Sequence, residues 1–171
     1  MRPELTLERL ATPVGEMLVV TDADGAVRAL DFADYEPRMM RLLARHWGPV
    51  DLTPGRAPER VRAAIAAYFA GDLTALDGLE VKTNGTAFQR EVWAALRRIP
   101  AGTTVSYGGL AQAIGRPKAV RAVGLANGGN PVGVIVPCHR VIGANGTLTG
   151  YAGGVERKRA LLEHEGVRPR A

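Results

Sequence analysis

One stretch sets the terms for the rest of the chain: Asn130-Pro131-Val132-Gly133-Val134-Ile135-Val136-Pro137-Cys138-His139-Arg140-Val141-Ile142. It holds the only cysteine in 171 residues. The apolar, β-branched run over 132–136 predicts a short buried strand. Pro137 has no N–H for a ladder, so the strand is expected to end there and deliver Cys138 to the edge of a pocket. A lone cysteine so placed has two readings. One is a small buried core residue, the usual fate of an unpaired Cys. The other is a reactive thiol, which the cationic neighbours His139 and Arg140 suit better than an apolar core would. A single cysteine also excludes an internal disulfide and fits a reducing, cytoplasmic setting.

Charge divides the chain in two. Residues 1–81 carry nine Arg/Lys against thirteen Asp/Glu, whereas residues 82–171 carry thirteen against four. A merely soluble basic protein would explain the net +5 but not its segregation. A basic half beside an acidic one is the footprint of nucleic-acid binding. No run of eighteen apolar residues exists, so no membrane span or membrane partner is expected. The first ten residues carry Glu4 and Glu8 and lack an apolar h-region, so no secretory signal is expected.

The acidic half reads as a small α/β domain over 1–81. Strands are predicted at 5–11, 17–22 and 26–32, the last two joined as a hairpin by the turn residues Asp22-Ala23-Asp24-Gly25. Helices are predicted at 36–47, with Pro37 in its first turn and Gly48 after it, and at 58–70, with Val61, Ile65, Tyr68 and Phe69 inward. The composition shifts over 73–85, and the boundary is placed near residue 82. In the basic half, Thr86-Ala87-Phe88-Gln89 is a capping box opening a helix that buries Phe88, Val92, Leu96 and Ile99 and stops at Pro100. Trp93 reads as core rather than as a platform for a base. Residues 106–117 and then 118–126 read as a short helix, a tight turn at Gly115 and a second helix, the pattern of a helix-turn-helix. Residues 143–146 form a turn, 148–154 a Gly-rich loop, and 155–165 a last helix burying Leu161 and Leu162, with Gly166 just past its end. The tail, 167–171, is expected to fray.

Pro137-Cys138-His139-Arg140-Val141-Ile142, preceded by Asn130-Pro131 and followed by Gly150-Tyr151-Ala152-Gly153-Gly154, resembles the O6-alkylguanine-DNA alkyltransferase family. The similarity runs from about Gly85 to Gly166, in the order the family requires. It implies an N-terminal α/β domain of ribonuclease H-like type and a C-terminal, mostly helical, winged-helix-like domain that binds DNA and accepts the alkyl group. Relatives that hold zinc in the N-terminal half use cysteine there, and this chain has none in 1–81.

The same resemblance implies the site. Cys138 is the alkyl acceptor, His139 its base through a bridging water, and Glu165 the group that holds His139. Asn130 braces the turn before the cysteine. Tyr107 crowds the backbone phosphate of the target and donates a proton at N3 of the base; read without the resemblance, it is as well a satisfied core tyrosine. Arg121 is the finger that enters the base stack, or, on its residue type alone, a phosphate contact. Lys118, Ala122 and Gly124 accompany it on the DNA-facing helix. Val141, Tyr151, Ala152 and Gly153 line the pocket, with the carbonyls of Cys138 and Val141 accepting from the exocyclic amine and backbone N–H groups near Ala152 donating to O6. Some relatives have serine at Ala152.

The activity that the resemblance implies is single-turnover repair of O6-alkylguanine, and also O4-alkylthymine, in double-stranded DNA by a monomer, with no metal or other cofactor. The competing readings are a lesion-binding relative without transfer, whose group replaces the cysteine; a cysteine hydrolase; and, more distantly, a helix-turn-helix regulator.

Overall fold

The computed structural model describes residues 2–169, which divide into two compact units between Asn84 and Gly85. The division falls slightly later than expected because the segment before it is tied to the N-terminal unit. Val81 bridges to Val27, Lys82 N donates to Val27 O (3.0 Å), and Asn84 Nδ2 donates to His46 O (2.7 Å).

The N-terminal unit holds a four-stranded sheet in the order β3-β2-β1-β4, from β1 (Glu4–Thr12), β2 (Gly15–Thr21), β3 (Val27–Phe32) and β4 (Asp51–Pro54). The predicted hairpin is β2–β3. Asp22 closes its turn by accepting from Asp24 N and Ala26 N, both at 3.0 Å. Strand β4 was not predicted. It is short, ends in Pro54, lies mostly exposed and pairs parallel to β1 at the sheet edge, where a proline is tolerated.

Helix α1 (Glu36–Trp47) takes the predicted span, with Gly48 at φ 69 as its C-cap. Its Met39 and Leu43 close a core with Leu5, Leu18, Val20 and Ala29. Glu8 points to the opposite face of β1, where it accepts from Ala57 N (2.8 Å) and from Arg62 of α2 (Glu59–Phe69; 3.1 Å). Phe69 is half-buried rather than inward, stacked edge-on against Tyr68.

The C-terminal unit carries the helices α3 (Ala87–Leu96), α4 (Tyr107–Ala113), α5 (Val120–Gly128) and α6 (Val155–His164) and a two-stranded parallel ladder, β5 (Val105–Ser106) with β6 (Val141–Ile142). The capping box is formed in both directions, Gln89 N to Thr86 Oγ1 (3.1 Å) and Thr86 N to Gln89 Oε1 (3.0 Å). Phe88 is half-buried and lies under the Arg116 guanidinium. Helix α3 ends at Leu96, one turn before Pro100. Trp93 is core, and its indole donates to Ala126 O of α5 (2.9 Å).

Helix α5 starts at Val120, two residues later than predicted, so Lys118 sits in the preceding turn. Gly166 adopts φ 88, and Gly166 N to Glu163 O (3.0 Å) with Val167 N to Leu162 O (2.8 Å) completes a Schellman cap on α6. Val167 is therefore anchored, and the expected fraying of 170 and 171 lies outside the described residues.

The main correction falls on 132–136, which is a buried succession of tight turns and not a strand. Ile135 N donates to Gly133 O (2.7 Å) across Val134, whose φ of 68 is the one positive value at a non-glycine among the described residues. Cys138 N donates to Val136 O (2.8 Å) across Pro137, whose φ −81 and ψ 66 make an inverse γ-turn. With Val136 N donating to Val132 O (3.0 Å) and Val132 N to Asn130 Oδ1 (3.0 Å), these N–H groups are spent within the segment rather than on a neighbouring strand. A β-branched residue at positive φ costs on the order of 1–3 kcal/mol, and such strain is found where a nearby group must be held in place.

Candidate active site

Cys138 opens a single 3-10 turn, Cys138–Arg140, that directly follows the inverse γ-turn at Pro137. Successive side chains on such a turn diverge by about a third of a revolution, so Cys138 and His139 point apart, though not oppositely as on the strand expected from the sequence. Asn130 sets the entry to this segment. Its Nδ2 donates to Val136 O (2.8 Å) and its Oδ1 accepts from Val132 N (3.0 Å), which closes the turns before the cysteine. Asn127, at the end of α5, donates to Cys138 O (3.4 Å). The thiol is thereby fixed from both sides, at 4% exposure.

His139 is fully buried, and its Nε2 lies 2.9 Å from Glu165 Oε2. Burial holds the imidazole pKa below its ordinary value, against the opposing pull of the Glu165 carboxylate. A neutral ring with Nε2–H donated to Glu165 leaves the Nδ1 lone pair as the basic site, and Nδ1 has no hydrogen-bond partner among the described residues. Glu165 is itself gripped by Arg140, Nε to Oε1 (2.9 Å) and Nη2 to Oε2 (3.0 Å), while Arg140 Nη1 donates to Ile99 O (2.6 Å). A carboxylate at a helix C-terminus is opposed by the helix dipole, and the bidentate guanidinium offsets that cost. Arg140 and Glu165 cancel, so a proton moved from the thiol to His139 creates one ion pair and no net charge in the core.

The family model for the 6-O-methylguanine DNA methyltransferase DNA-binding domain matches residues 87–167. A methylated-DNA–protein-cysteine methyltransferase of Salmonella typhimurium is 53% identical over 162 residues, covering 93% of this chain and 94% of the relative. This chain belongs to that methyltransferase family. A relative of the same name from Mycobacterium tuberculosis is 58% identical over 120 residues, 70% of each chain. The crystal structure of Mycobacterium tuberculosis OGT in complex with DNA superposes with a TM-score of 0.81 at 43% identity, covering 94% of this chain and 92% of that one.

Within this methyltransferase fold, His139 is hydrogen-bonded to Glu165 and adjoins Cys138 on the 3-10 turn, while Asn130 Nδ2 and Cys138 N both donate to Val136 O. Tyr107 lies apart from them at the start of α4, half-buried, its hydroxyl 2.8 Å from Thr149 Oγ1 in the loop that leads to Tyr151, Ala152 and Gly153. Arg121 and Ala122 are exposed on α5, and Arg121 makes no ion pair among the described residues. Gly124 is half-buried beside them. A Cβ there would stand 3.8 Å from the Tyr107 ring, so this position serves the packing of α5 against Tyr107. Lys118 is exposed in the turn.

Two further residues, Lys158 and Asn127, had drawn no role from the sequence, and Arg140 had been read only as a cation beside the thiol. Arg140 clamps Glu165. Lys158, fully buried on α6, donates from Nζ to Val141 O (2.6 Å) and Thr149 O (3.3 Å). Asn127 holds the cysteine carbonyl. The signal for Lys158 was present: with Leu161, Leu162 and Glu165 it falls at i, i+3, i+4 and i+7, one stripe of α6 with a charge at each end.

Proposed function

We propose that the protein is a single-turnover DNA repair enzyme that moves an alkyl group from O6 of guanine, and from O4 of thymine, in double-stranded DNA to its own Cys138. The observation that carries this reading is the His139–Glu165–Arg140 cluster built beside the thiol, with a basic imidazole nitrogen left over. Through a water, His139 takes the thiol proton at Nδ1, and the sulfur attacks the saturated carbon on O6. The S–C bond forms as the C–O6 bond breaks. The electron pair stays on the guanine, which takes a proton at N3 from Tyr107. The product is a thioether that water does not cleave, so each molecule acts once.

A duplex stacks O6 out of reach, so the nucleotide is rotated out into the pocket lined by Val141, Tyr151, Ala152 and Gly153. Helices α4 and α5 act as a helix-turn-helix, with α5 in the minor groove and Arg121 filling the space left in the stack. Lys118 adds a phosphate contact from the turn. The N-terminal unit, ribonuclease H-like, supports the winged-helix-like C-terminal unit, and the protein works as a cytoplasmic monomer. Among the described residues no helix is long and apolar enough to cross a membrane.

Intact-mass measurement after incubation with duplex containing O6-methylguanine tests the reading. One added methyl on Cys138 per protein molecule is expected; more demethylated sites than protein molecules would identify a hydrolase instead. Arg121→Ala is expected to slow repair of duplex DNA by about a hundredfold, because opening the stack costs a few kcal/mol. Its effect on the free alkylated base should be under about twofold. Equal losses on both substrates would place Arg121 in support of the pocket rather than in the stack.

A further inference from the structure

Tyr107 and Lys158 are joined through one residue. Thr149 offers its hydroxyl to the Tyr107 phenol at 2.8 Å and its carbonyl to Lys158 Nζ at 3.3 Å, while the same Nζ holds Val141 O at 2.6 Å. We propose that Thr149 is the positioning residue for Tyr107, and that Lys158 is the buried anchor that fixes Thr149 against the strand following the cysteine. The proposal rests on the transferase reading above and adds two residues to it.

A lysine is a poor choice for the place that Lys158 occupies. It shares a stripe with Leu161 and Leu162 at 0% exposure, where an apolar side chain would pack without desolvating a charge. Burial lowers its pKa from 10.5 to about 8, and the charge of Cys138 opposes that fall. The titratable groups that feel its charge are Cys138 and His139 on the 3-10 turn. What the ammonium gains there is a pair of backbone carbonyls on two separate segments, Val141 on β6 and Thr149 in the loop. No apolar residue could join those two segments.

The hydroxyl of Thr149 then decides what Tyr107 can do. A phenol that gives its proton to guanine N3 must aim its O–H at the base, and its oxygen is left to accept a bond from elsewhere. Thr149 Oγ1–H is placed to donate that bond. As the C–O6 bond breaks and N3 takes the phenolic proton, the Tyr107 oxygen gains negative charge, and the Thr149 hydroxyl stabilises it until water returns a proton. Among the described residues Tyr107 has no other side-chain partner at its hydroxyl, so loss of Thr149 would leave the phenol free to rotate its proton away.

Single-turnover methyl transfer on an O6-methylguanine duplex tests this, with thermal unfolding as a check on each variant. Thr149→Val keeps the shape of the side chain and removes only the hydroxyl. It is expected to slow transfer about tenfold, and Thr149→Ser to restore it. In a Tyr107→Phe background Thr149→Val should cause no further loss, since the partner it acts through is gone. Lys158→Met should stay folded and slow transfer by a similar factor. A wild-type rate in Thr149→Val, or the same tenfold loss in both backgrounds, would overturn the role of Thr149, and a wild-type rate in Lys158→Met would overturn the anchor. Wild-type protein that gains no methyl would instead overturn the transferase reading, and the proposal with it.

Discussion

Cys138→Ser is expected to bind an O6-methylguanine duplex as the wild type does and to leave the methyl group on the DNA. The exchange alters one atom in a site whose scaffold is made by backbone groups. Cys138 N to Val136 O, Asn127 to Cys138 O and the Asn130 brace do not involve the sulfur, so the turn should persist. The effect is chemical. Attack on a saturated carbon needs a soft, ionised nucleophile, and a thiol, ordinarily near pKa ~8.5, is brought to that state by a neighbouring imidazole. An alcohol lies far beyond the reach of a histidine whose own basicity is lowered by burial. The transfer rate should fall by more than about a thousandfold. Duplex binding by titration and intact mass after incubation are the two measurements. Methyl loss from DNA at an appreciable rate with this variant would remove Cys138 from the bond-making step.

The helix ends were legible in the sequence for a local reason. Caps and punctuation act within a few residues, so Thr86 with Gln89, Gly48 and Gly166 marked real helix ends. The residues of 132–136 were misread because β-branched composition reports burial as strongly as it reports strand. All but the half-buried Gly133 are indeed buried, but Asn130, Pro131 and Pro137 fold the segment on itself before it can pair. Strand β4 escaped because an exposed edge strand with a proline carries no alternation to read.

In the site, Cys138, His139, Glu165 and Asn130 came from residue order and resemblance. The role of Arg140 did not, since nothing local says that a guanidinium next to a histidine will turn back to a carboxylate 25 residues later in the chain. Thr149 was hidden likewise: its partner Tyr107 is 42 residues away, and a threonine in a Gly-rich loop looks like solvent-facing turn chemistry.

Glu165→Gln is expected to give a folded but weakened protein whose transfer is slow at neutral pH and recovers as the pH rises. By shape alone, this exchange is conservative. The grip of Arg140 changes that expectation. Glutamine cannot accept from both Arg140 and His139 with two oxygens, and it leaves a guanidinium buried at 5% exposure without its counter-charge. Breaking a buried pair from one side costs about 3–5 kcal/mol, so the variant should unfold at visibly lower denaturant.

The rate effect comes from the imidazole. Burial lowers the His139 pKa and Glu165 is the leading influence that opposes it, so removing the carboxylate lowers the pKa further. The thiolate–imidazolium pair becomes scarcer, and the neutral-pH rate should drop by about a hundredfold, within the range of a lost general base. Hydroxide can ionise Cys138 without the relay, so the loss should shrink as the pH approaches that of an ordinary thiol, about 8.5. Stability has its own pH signature. A histidine with a depressed folded pKa contributes stability above its unfolded value, about 6.5, and that contribution is lost as the pH falls. Both wild type and variant should therefore weaken in acid from that point.

The experiment is single-turnover transfer against pH, with denaturant unfolding on the same preparations. A folded Glu165→Gln protein with the wild-type pH profile would take Glu165 out of the proton relay and leave it as the partner that neutralises Arg140.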